Sequence, residues 1–299
     1  MSELVSFSVI IPTYNRAQLV TKTISSLLEQ TNTNFEIIVV DDGSTDDTAD
    51  VIRSINDDRL KYFSKQNGER GAARNFGVSK ASRTYINYFD SDDLAYPHHL
   101  QTAAELISRN NFPEMVHLGY EYRTDEGKLL GSVNRFDGNV TEYAIKKKMV
   151  AVMSMFIRKD IAEQFPFSEN REFVLGEDAL HLCQLAARYP LYYDNTITST
   201  VIQHNNRTMT SSDETHFLYC KEQLLQELKK DGVFMNKHAR YLPEIGNEYN
   251  YLLWKKCIDS GNNKKAWQYF KSYVKTGYKN IFSKRTLVFF KGYIFNLFK

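Results

Sequence analysis

Residues 7–42 read FSVIIPTYNRAQLVTKTISSLLEQTNTNFEIIVVDD and predict a strand, a helix and a second strand. The runs FSVIIPTY and FEIIVVDD are almost continuously apolar, which is typical of strands buried on both faces of a parallel sheet. The segment between them has apolar residues at positions 19, 20, 24, 27 and 28, the spacing of an amphipathic helix. Strand–helix–strand units of this kind predict an α/β fold.

The alternation continues to about residue 110. We expect helices in STDDTADVIRSI and over about 71–82 and 97–109, with strands at LKYF and TYINYFD. Beyond them we expect a strand over 114–122, one or two helices within 141–166, a helix in GEDALHLCQLAARY, a strand in TITSTVIQH and mostly helices after 205. The sequence thus predicts a Rossmann-like, mainly parallel sheet flanked by helices, followed by a C-terminal helical extension.

Composition limits the class of protein. The chain has 299 residues, of which 42% are hydrophobic, which is enough for a sizeable core. Its three cysteines contain no C-x-x-C pair, so we expect neither a disulfide framework nor a zinc site, but a reducing compartment. The N-terminus lacks the features of a signal peptide, and no apolar run approaches the ~18–20 residues of a membrane-spanning helix.

Acidic residues are crowded after one of the predicted strands. The stretch NYFDSDDLAYP, residues 87–97, contains Asp90, Asp92 and Asp93, whose charges repel unless a cation or N–H donors neutralise them. Either this is a metal site or it is a solvated loop whose last aspartates cap the next helix. The clusters PTYNR and DDGSTD also follow predicted strands, and ligands of such sheets bind beyond the carboxyl ends of the strands.

Five segments occur in the order and spacing found in glycosyltransferase family 2: SVIIPTYNR, EIIVVDDGSTDDT, NGERGAARNFGVSKAS, YINYFDSDD and GEDALHL. From residue 6 to about 207 the chain resembles this family of inverting, bacterial-type sugar transferases. The resemblance implies a GT-A fold with a catalytic domain over 1–207, divided into a nucleotide-binding half, 1–110, and an acceptor-binding half, 111–207. A helical, basic and aromatic region, 208–299, would follow.

The resemblance also implies a divalent metal, Mn²⁺ or Mg²⁺, which suits oxygen ligands. By the family pattern Asp92 binds the metal, Asp90 faces the ribose, Asp93 assists or caps the helix, and His204 reaches the metal or the diphosphate. Ile202 stands where the family usually has arginine, so the phosphate contacts differ here. Taken alone, a single histidine is more often structural.

Donor-binding residues are implied in the same way. The family would place the donor, a UDP-sugar, against the loop after the first strand and would use Asp42 to accept a hydrogen bond from N3–H of uracil. Taken alone, an acidic pair such as Asp41 and Asp42 is more often a turn or a helix cap, and a surface arginine is usually solvated. The expected donor-binding residues are Pro12, Thr13, Tyr14, Asp42, Arg70, Arg74, Asp90, Ser91 and Asp92.

The GED segment at 176–178 carries the expected catalytic base. An inverting transfer needs one carboxylate to take the proton of the acceptor hydroxyl during in-line attack. The resemblance implies Asp178 in this role, with Glu177 as an alternative base or as a residue that orients the acceptor. Acidic residues in a first helical turn also have a purely structural explanation, the helix dipole.

The tail differs in charge from the rest of the chain. Residues 264–299 contain nine Lys and Arg and no acidic residue, which leaves 29 basic and 36 acidic residues in positions 1–263. An aromatic stripe at helical spacing runs through Phe270, Tyr273, Tyr278 and Phe282. Such a stretch predicts an interfacial helix on anionic lipid. The alternative is a helix packed on the catalytic domain or on a second subunit in a homodimer; no nucleic-acid partner is expected.

The resemblance implies a metal-dependent hexosyl- or N-acetylhexosaminyltransferase. It would act on a polysaccharide or lipid-linked oligosaccharide in cell-surface glycan biosynthesis, such as capsule or lipopolysaccharide. We expect it to be cytoplasmic and peripheral on the inner face of the cell membrane. Two alternatives remain: a nucleotidyltransferase of similar fold, which would release pyrophosphate, and a non-catalytic metal- or phosphate-binding module. The module would need only the first 120 residues, which leaves the later GED segment and His204 without a role.

Overall fold

The computed structural model describes residues 5–147, 151–204, 213–275 and 284–297. In these ranges the strands are β1 (Phe7–Thr13), β2 (Phe35–Asp41), β3 (Leu60–Ser64), β4 (Tyr85–Tyr88), β5 (Leu94–Ala95), β6 (Met115–Thr124), β7 (Leu129–Val133), β8 (Gly138–Asn139), β9 (Met155–Arg158) and β10 (Leu191–Gln203). They form one sheet in the order β3-β2-β1-β4-β9-β6-β10-β5, with β7 paired to β6 and β8 to β10.

Helices cover the sheet and continue after it. Up to the last strand they are α1 (Ala17–Leu28), α2 (Thr48–Arg53), α3 (Glu69–Lys80), α4 (His99–Arg109), α5 (Thr141–Lys147), α6 (Lys159–Gln164) and α7 (Glu177–Ala186). The C-terminal helices in the described ranges are α8 (Glu214–Lys230), α9 (Gly232–His238), α10 (Leu242–Asp259), α11 (Asn263–Lys275) and α12 (Lys284–Leu297).

The predicted α/β core is confirmed. Strands β1, β2, β3 and β4 pair in parallel, and every residue of β1 and β2 is buried, as continuously apolar strands require. Helix α1 packs Val20, Ile24 and Leu27 onto the sheet, three of the positions that its periodicity assigned to the apolar face. Parallel pairing brings the ends of these strands to one edge of the sheet.

Strand β9 was not predicted. It lies between β4 and β6 and runs antiparallel to both, so β6 and β10 keep the direction of β1–β4. The segment 141–166, for which we predicted only helices, therefore contains helix α5, this strand and helix α6. A four-residue segment such as MFIR does not reveal its secondary structure through periodicity, because it is too short to distinguish the repeat of a helix from the alternation of a strand.

Helices α8 and α10 share the main core with α7. Phe217 and Leu224 of α8 and Ile245, Tyr249 and Leu253 of α10 are buried in the same cluster as the apolar side of α7. This shared core holds the region after 208 against the sheet-based part of the chain.

The aromatic stripe of the tail has two environments. Phe270 and Tyr273 of α11 are buried, and the ring of Phe270 stacks on Phe289 of α12 with centroids 4.0 Å apart. These two side chains pack against the neighbouring C-terminal helices α10 and α12. The stripe members over 277–282 lie outside the described residues. Among the side chains of α12 that the structure describes, those of Leu287, Phe290 and Ile294 are apolar and exposed. Within the described ranges no helix has the length and hydropathy needed to cross a bilayer.

Candidate active site

A cavity of about 800 Å³ lies beyond the carboxyl ends of β1, β2 and β4. Its walls come from the loops after these strands, from α3 and the start of α7, and from the C-terminal helices α8 and α10. Most of the predicted site residues line it: Pro12, Thr13, Tyr14, Asp42, Arg70, Asp90, Ser91, Asp92, Asp93 and Asp178. The structure thus brings together motifs that are up to about 170 residues apart in the sequence.

The adjacent carboxylates at the end of β2 have different partners. Asp41 accepts hydrogen bonds from the Ser44 N–H at 2.8 Å and from the Tyr62 hydroxyl at 2.7 Å, so it forms the turn. Asp42 lines the cavity, accepts from the Gly68 N–H at 2.9 Å and pairs with Lys65 Nζ at 2.7 Å. The two aspartates therefore differ in their surroundings: Asp41 stabilises the turn, and Asp42 lines the cavity.

The loop after β1 forms the next part of the wall. Thr13 is 3% exposed, and among the described residues its hydroxyl oxygen has no hydrogen-bond partner although it is buried. Tyr14 is 47% exposed, which leaves its ring accessible at the cavity. Asn15 holds this loop to the loop after β2, because its side-chain oxygen accepts from the Thr45 N–H at 2.8 Å.

The loop after β4 contains the sequence DSDD, residues 90–93, and is called the DSDD loop below. Its three aspartates contact three different groups. Asp90 accepts from Arg74 Nη2 at 2.8 Å, and Asp92 lies 2.9 Å from Nε2 of His204. Asp93 is 1% exposed and accepts from the Ile202 N–H at 3.0 Å, which fixes the loop to β10. Separate partners reduce the mutual repulsion of these carboxylates.

Arg74 lies at the centre of a buried ion-pair network. It is 1% exposed, and besides Asp90 it reaches Glu177 through Nη1 at 3.3 Å. Glu177 also pairs with Nε of Arg70 at 2.8 Å. The guanidinium of Arg74 lies over the ring of Phe167, with 5.0 Å between its carbon and the ring centroid. Helix α3 is thereby connected to both the DSDD loop and the start of α7.

The two acidic residues of the GED segment point to different surroundings. Glu177 is 3% exposed, and burial raises its pKa to about 7, although Arg70 and Arg74 oppose the shift. Asp178 is only partly buried and lines the cavity, where its Oδ1 accepts from the Ala179 N–H at 2.7 Å. Of the two carboxylates, Asp178 is therefore the one at the cavity surface.

Comparison with known proteins agrees with this architecture. The sequence profile described as "Glycosyl transferase family 2" matches residues 8–165, more than half of the chain. The chain belongs to glycosyltransferase family 2. The family expectation drawn from the five motifs is thus confirmed.

Two curated proteins illustrate how similar this chain is to its relatives. It is 37% identical over 184 residues to an uncharacterized glycosyltransferase of Rickettsia bellii, which covers 60% of this chain and 26% of that protein. It is 30% identical over 214 residues to the glycosyltransferase GlyG of Streptococcus pneumoniae, which covers 66% of this chain and 70% of that protein. The chain thus spans about a quarter of the length of the Rickettsia relative.

Solved structures show the same fold beyond the family profile. TarS 1–349 of S. aureus in complex with UDP-GlcNAc superposes with a TM-score of 0.69 at 20% identity, over 93% of this chain and 81% of that one. The same TarS fragment with UDP gives a TM-score of 0.59 at 18% identity, over 91% of this chain and 90% of that one. These similarities confirm the GT-A fold, including the presence of C-terminal helices after the sheet.

Two residues beside the cavity, Asp92 and His204, have the donor atoms that a divalent metal uses. Asp92 and His204 are 12% and 13% exposed and in contact, so an oxygen and a nitrogen donor are already adjacent. In the described ranges no three His, Cys, Asp or Glu side chains are arranged to hold a metal on their own. Mg²⁺ and Mn²⁺ commonly use one or two carboxylates and complete their coordination with phosphate oxygens and water. The pair would supply two of the ligands of such a metal.

The sequence motifs did not predict that the C-terminal helices contribute to the cavity. Tyr251, Leu252 and Lys255 of α10, with Phe217 of α8, line the cavity. On α10, the hydroxyl of Tyr249 donates to the carbonyl of Leu175 at 3.1 Å, just before the GED segment. The spacing of 251, 252 and 255 places these residues on one face of a helix, but only the packing of that helix shows what the face contacts.

We predict that Glu177 makes stability depend on pH. Its pKa in the folded protein, about 7, lies above the ordinary value of 4.5, so its stabilising contribution is complete below pH 4.5 and is lost as the pH rises through 7. Urea unfolding at pH 5 and at pH 8 measures this loss. The decrease in unfolding free energy from pH 5 to pH 8 should be smaller in Glu177→Gln than in wild type, by about 1–3 kcal/mol.

The exposed Glu172, on the loop before α7, provides the matched control. Glu172→Gln should keep the pH dependence of wild type. If Glu177→Gln kept it as well, the assignment of the titration to Glu177 would be wrong.

Proposed function

We propose that this family member transfers a hexosyl or N-acetylhexosaminyl group from a UDP-sugar to a polysaccharide or lipid-linked oligosaccharide, with inversion at the anomeric carbon. The observation that carries the proposal is the cavity itself. It places Asp42 and Thr13, the DSDD loop and Asp178 on the walls of one space of about 800 Å³. A cavity of this size is typical of small-molecule sites.

The donor is proposed to bind against the loops after β1 and β2. Asp42 is held by Gly68 and Lys65, which would orient its carboxylate toward N3–H of uracil. The hydroxyl of Thr13 has no hydrogen-bond partner among the residues described, so it offers a hydrogen bond to the ribose or base. The exposed ring of Tyr14 offers a stacking surface. Complexes of TarS with UDP-GlcNAc and with UDP support a uridine nucleotide as the first donor to test.

Asp178 is proposed as the base that accepts the proton of the acceptor hydroxyl. It lines the cavity, whereas Glu177 is buried and paired with Arg70 and Arg74. We assign Glu177 to positioning: it holds the first turn of α7 against α3. One carboxylate in contact with the acceptor suffices for a single displacement with inversion.

The test of the base is Asp178→Asn. This variant should bind UDP with the affinity of wild type and lose turnover about 10²- to 10⁴-fold, because the amide cannot accept the proton. Release of UDP from a panel of UDP-sugars measures turnover, and calorimetry measures UDP binding. A large loss in Glu177→Gln with little change in Asp178→Asn would instead assign the base to Glu177.

The metal is proposed to bind to Asp92 and His204. Bound there, a divalent cation would neutralise charge on the leaving nucleoside diphosphate. Arg74 and the Ile202 N–H hold Asp90 and Asp93 beside this pair, which keeps the acidic loop in place. We propose that Asp90 faces the ribose and that Asp93 supports the loop next to the metal.

We expect Asp92→Ala to weaken binding of Mn²⁺ in the presence of UDP by at least about tenfold and to abolish metal-dependent transfer. The control is Asp50→Ala, since the side chain of Asp50 is 84% exposed on α2. Titration of Mn²⁺ followed by electron paramagnetic resonance measures binding apart from activity. Unchanged Mn²⁺ affinity in Asp92→Ala, or full activity of wild type in EDTA, would contradict the metal assignment.

The same assays address the alternative functions. A nucleotidyltransferase would release pyrophosphate rather than UDP, and a binding module would release neither. Because the cavity extends from the strand ends to α7 and α10, its lining uses much more of the chain than a module of the first 120 residues would need. This observation favours sugar transfer.

We propose that the protein attaches peripherally to the inner face of the cell membrane through its basic tail. Residues 264–299 contain nine basic and no acidic residues. In α12 the exposed side chains of Leu287, Phe290 and Ile294 follow one another at three- and four-residue spacing, which places them on one face. Basic residues beside an exposed apolar stripe favour an anionic bilayer surface.

The membrane proposal predicts that Leu287→Ser, Phe290→Ser and Ile294→Ser together reduce co-sedimentation with phosphatidylglycerol vesicles and leave thermal stability unchanged. Phe270 lies at a buried position of α11. Phe270→Ala should therefore leave vesicle co-sedimentation unchanged and lower the unfolding free energy by about 3 kcal/mol. Equal vesicle binding by the triple variant and wild type would refute lipid contact. A shift of the triple variant from dimer to monomer would support the homodimer instead.

A further inference from the structure

We propose that Lys255 and Tyr251 of α10 form an acceptor subsite that selects an acidic sugar, a glycan unit that carries a phosphate or a carboxylate. This inference rests on the proposed function, because it names the class of acceptor that the same cavity takes. Lys255 and Tyr251 belong to the part of the cavity wall made by the C-terminal helices, which lies outside the residues matched by the family profile.

The charge of Lys255 has no counterion among the described residues. Its side chain lines the cavity, and among the described residues no hydrogen bond or ion pair engages its ammonium group. Three carboxylates of the cavity already have partners: Asp42 pairs with Lys65, Asp90 with Arg74, and Asp92 contacts His204. A cation in this position therefore remains available to a ligand.

The surroundings of Lys255 suit a sugar ring. Tyr251 is one helical turn before it, Leu252 lies between them on the same face, and Phe217 of α8 completes the wall. Aromatic side chains offer an apolar face and, in tyrosine, a polar tip. A ring stacked on Tyr251 would direct a charged substituent to the ammonium group of Lys255.

The position of α10 assigns this wall to the acceptor. Tyr249 of the same helix donates to the carbonyl of Leu175, next to the segment that contains Asp178. The groups proposed for the donor belong instead to the loops after β1, β2 and β4. The acceptor hydroxyl must approach Asp178, so an acceptor that lies against α10 would present its hydroxyl to the base and its acidic group to Lys255.

The test compares three probes that share one ring: methyl glucoside, methyl glucuronide and methyl glucoside 6-phosphate. Their affinities for the full chain are measured by NMR titration in the presence of UDP. Wild type should bind at least one acidic probe about tenfold more tightly than the neutral probe, as expected for a charge-assisted hydrogen bond, and less so at high salt. The acidic probe that binds more tightly identifies phosphate or carboxylate as the group recognised.

Variants locate the effect. Lys255→Gln should remove the preference for the acidic probe and leave binding of the neutral probe and of UDP unchanged, and Lys255→Arg should restore the preference. Lys229→Gln is the matched control, because Lys229 is an exposed lysine of α8 outside the cavity wall. Tyr251→Ala should weaken all three probes.

Two results overturn the inference while the proposed function stands. The first is equal affinity of wild type for neutral and acidic probes. The second is a loss of UDP affinity in Lys255→Gln with no effect on the probes, which would assign Lys255 to the donor. Failure of the proposed function is seen separately, as an absence of UDP binding by wild type.

Discussion

The buried guanidinium of Arg74 joins three parts of the chain that the rest of the site depends on. It extends from α3, binds Asp90 in the loop after β4 and binds Glu177 at the first residue of α7. A charge that is 1% exposed is tolerated only when it is paired, and removal of one partner of a buried ion pair typically costs about 3–5 kcal/mol. This constraint fixes the distance between the acidic loop and the helix that carries Asp178.

Glu177 and Asp178 are adjacent in the sequence but lie in different surroundings. Glu177 is held by Arg70 and Arg74 inside the protein, and the cost of burying its charge raises its pKa to about 7. Asp178, one residue later, is turned toward the cavity. Successive residues of a helix point about 100° apart, so a single helix start supplies both an internal anchor and a carboxylate at the cavity surface.

The C-terminal helices belong to the site as much as to the core. Helix α10 holds the loop before α7 through Tyr249 and forms part of the cavity wall through Tyr251 and Lys255. Helix α11 in turn supports α10, since Asn247 donates to the carbonyl of Tyr273 at 2.9 Å and Phe270 packs in the cluster around Trp254. The boundary predicted at 207 separates the family motifs from the rest of the chain, yet the cavity uses residues on both sides of it.

The sequence alone determined the α/β core, because buried parallel strands and amphipathic helices leave periodic patterns, and it located Asp42, Asp92 and Asp178 because five motifs occur in a recognisable order. It did not reveal β9, whose four residues are too few to show a period, or the wall made by Tyr251 and Lys255. Through the family resemblance it favoured Asp42 over Asp41 and Asp178 over Glu177, but it did not show how the surroundings of these neighbours differ. Those distinctions depend on which side chain meets Tyr62, Arg74 or the cavity, and such contacts between distant segments exist only once the chain has folded.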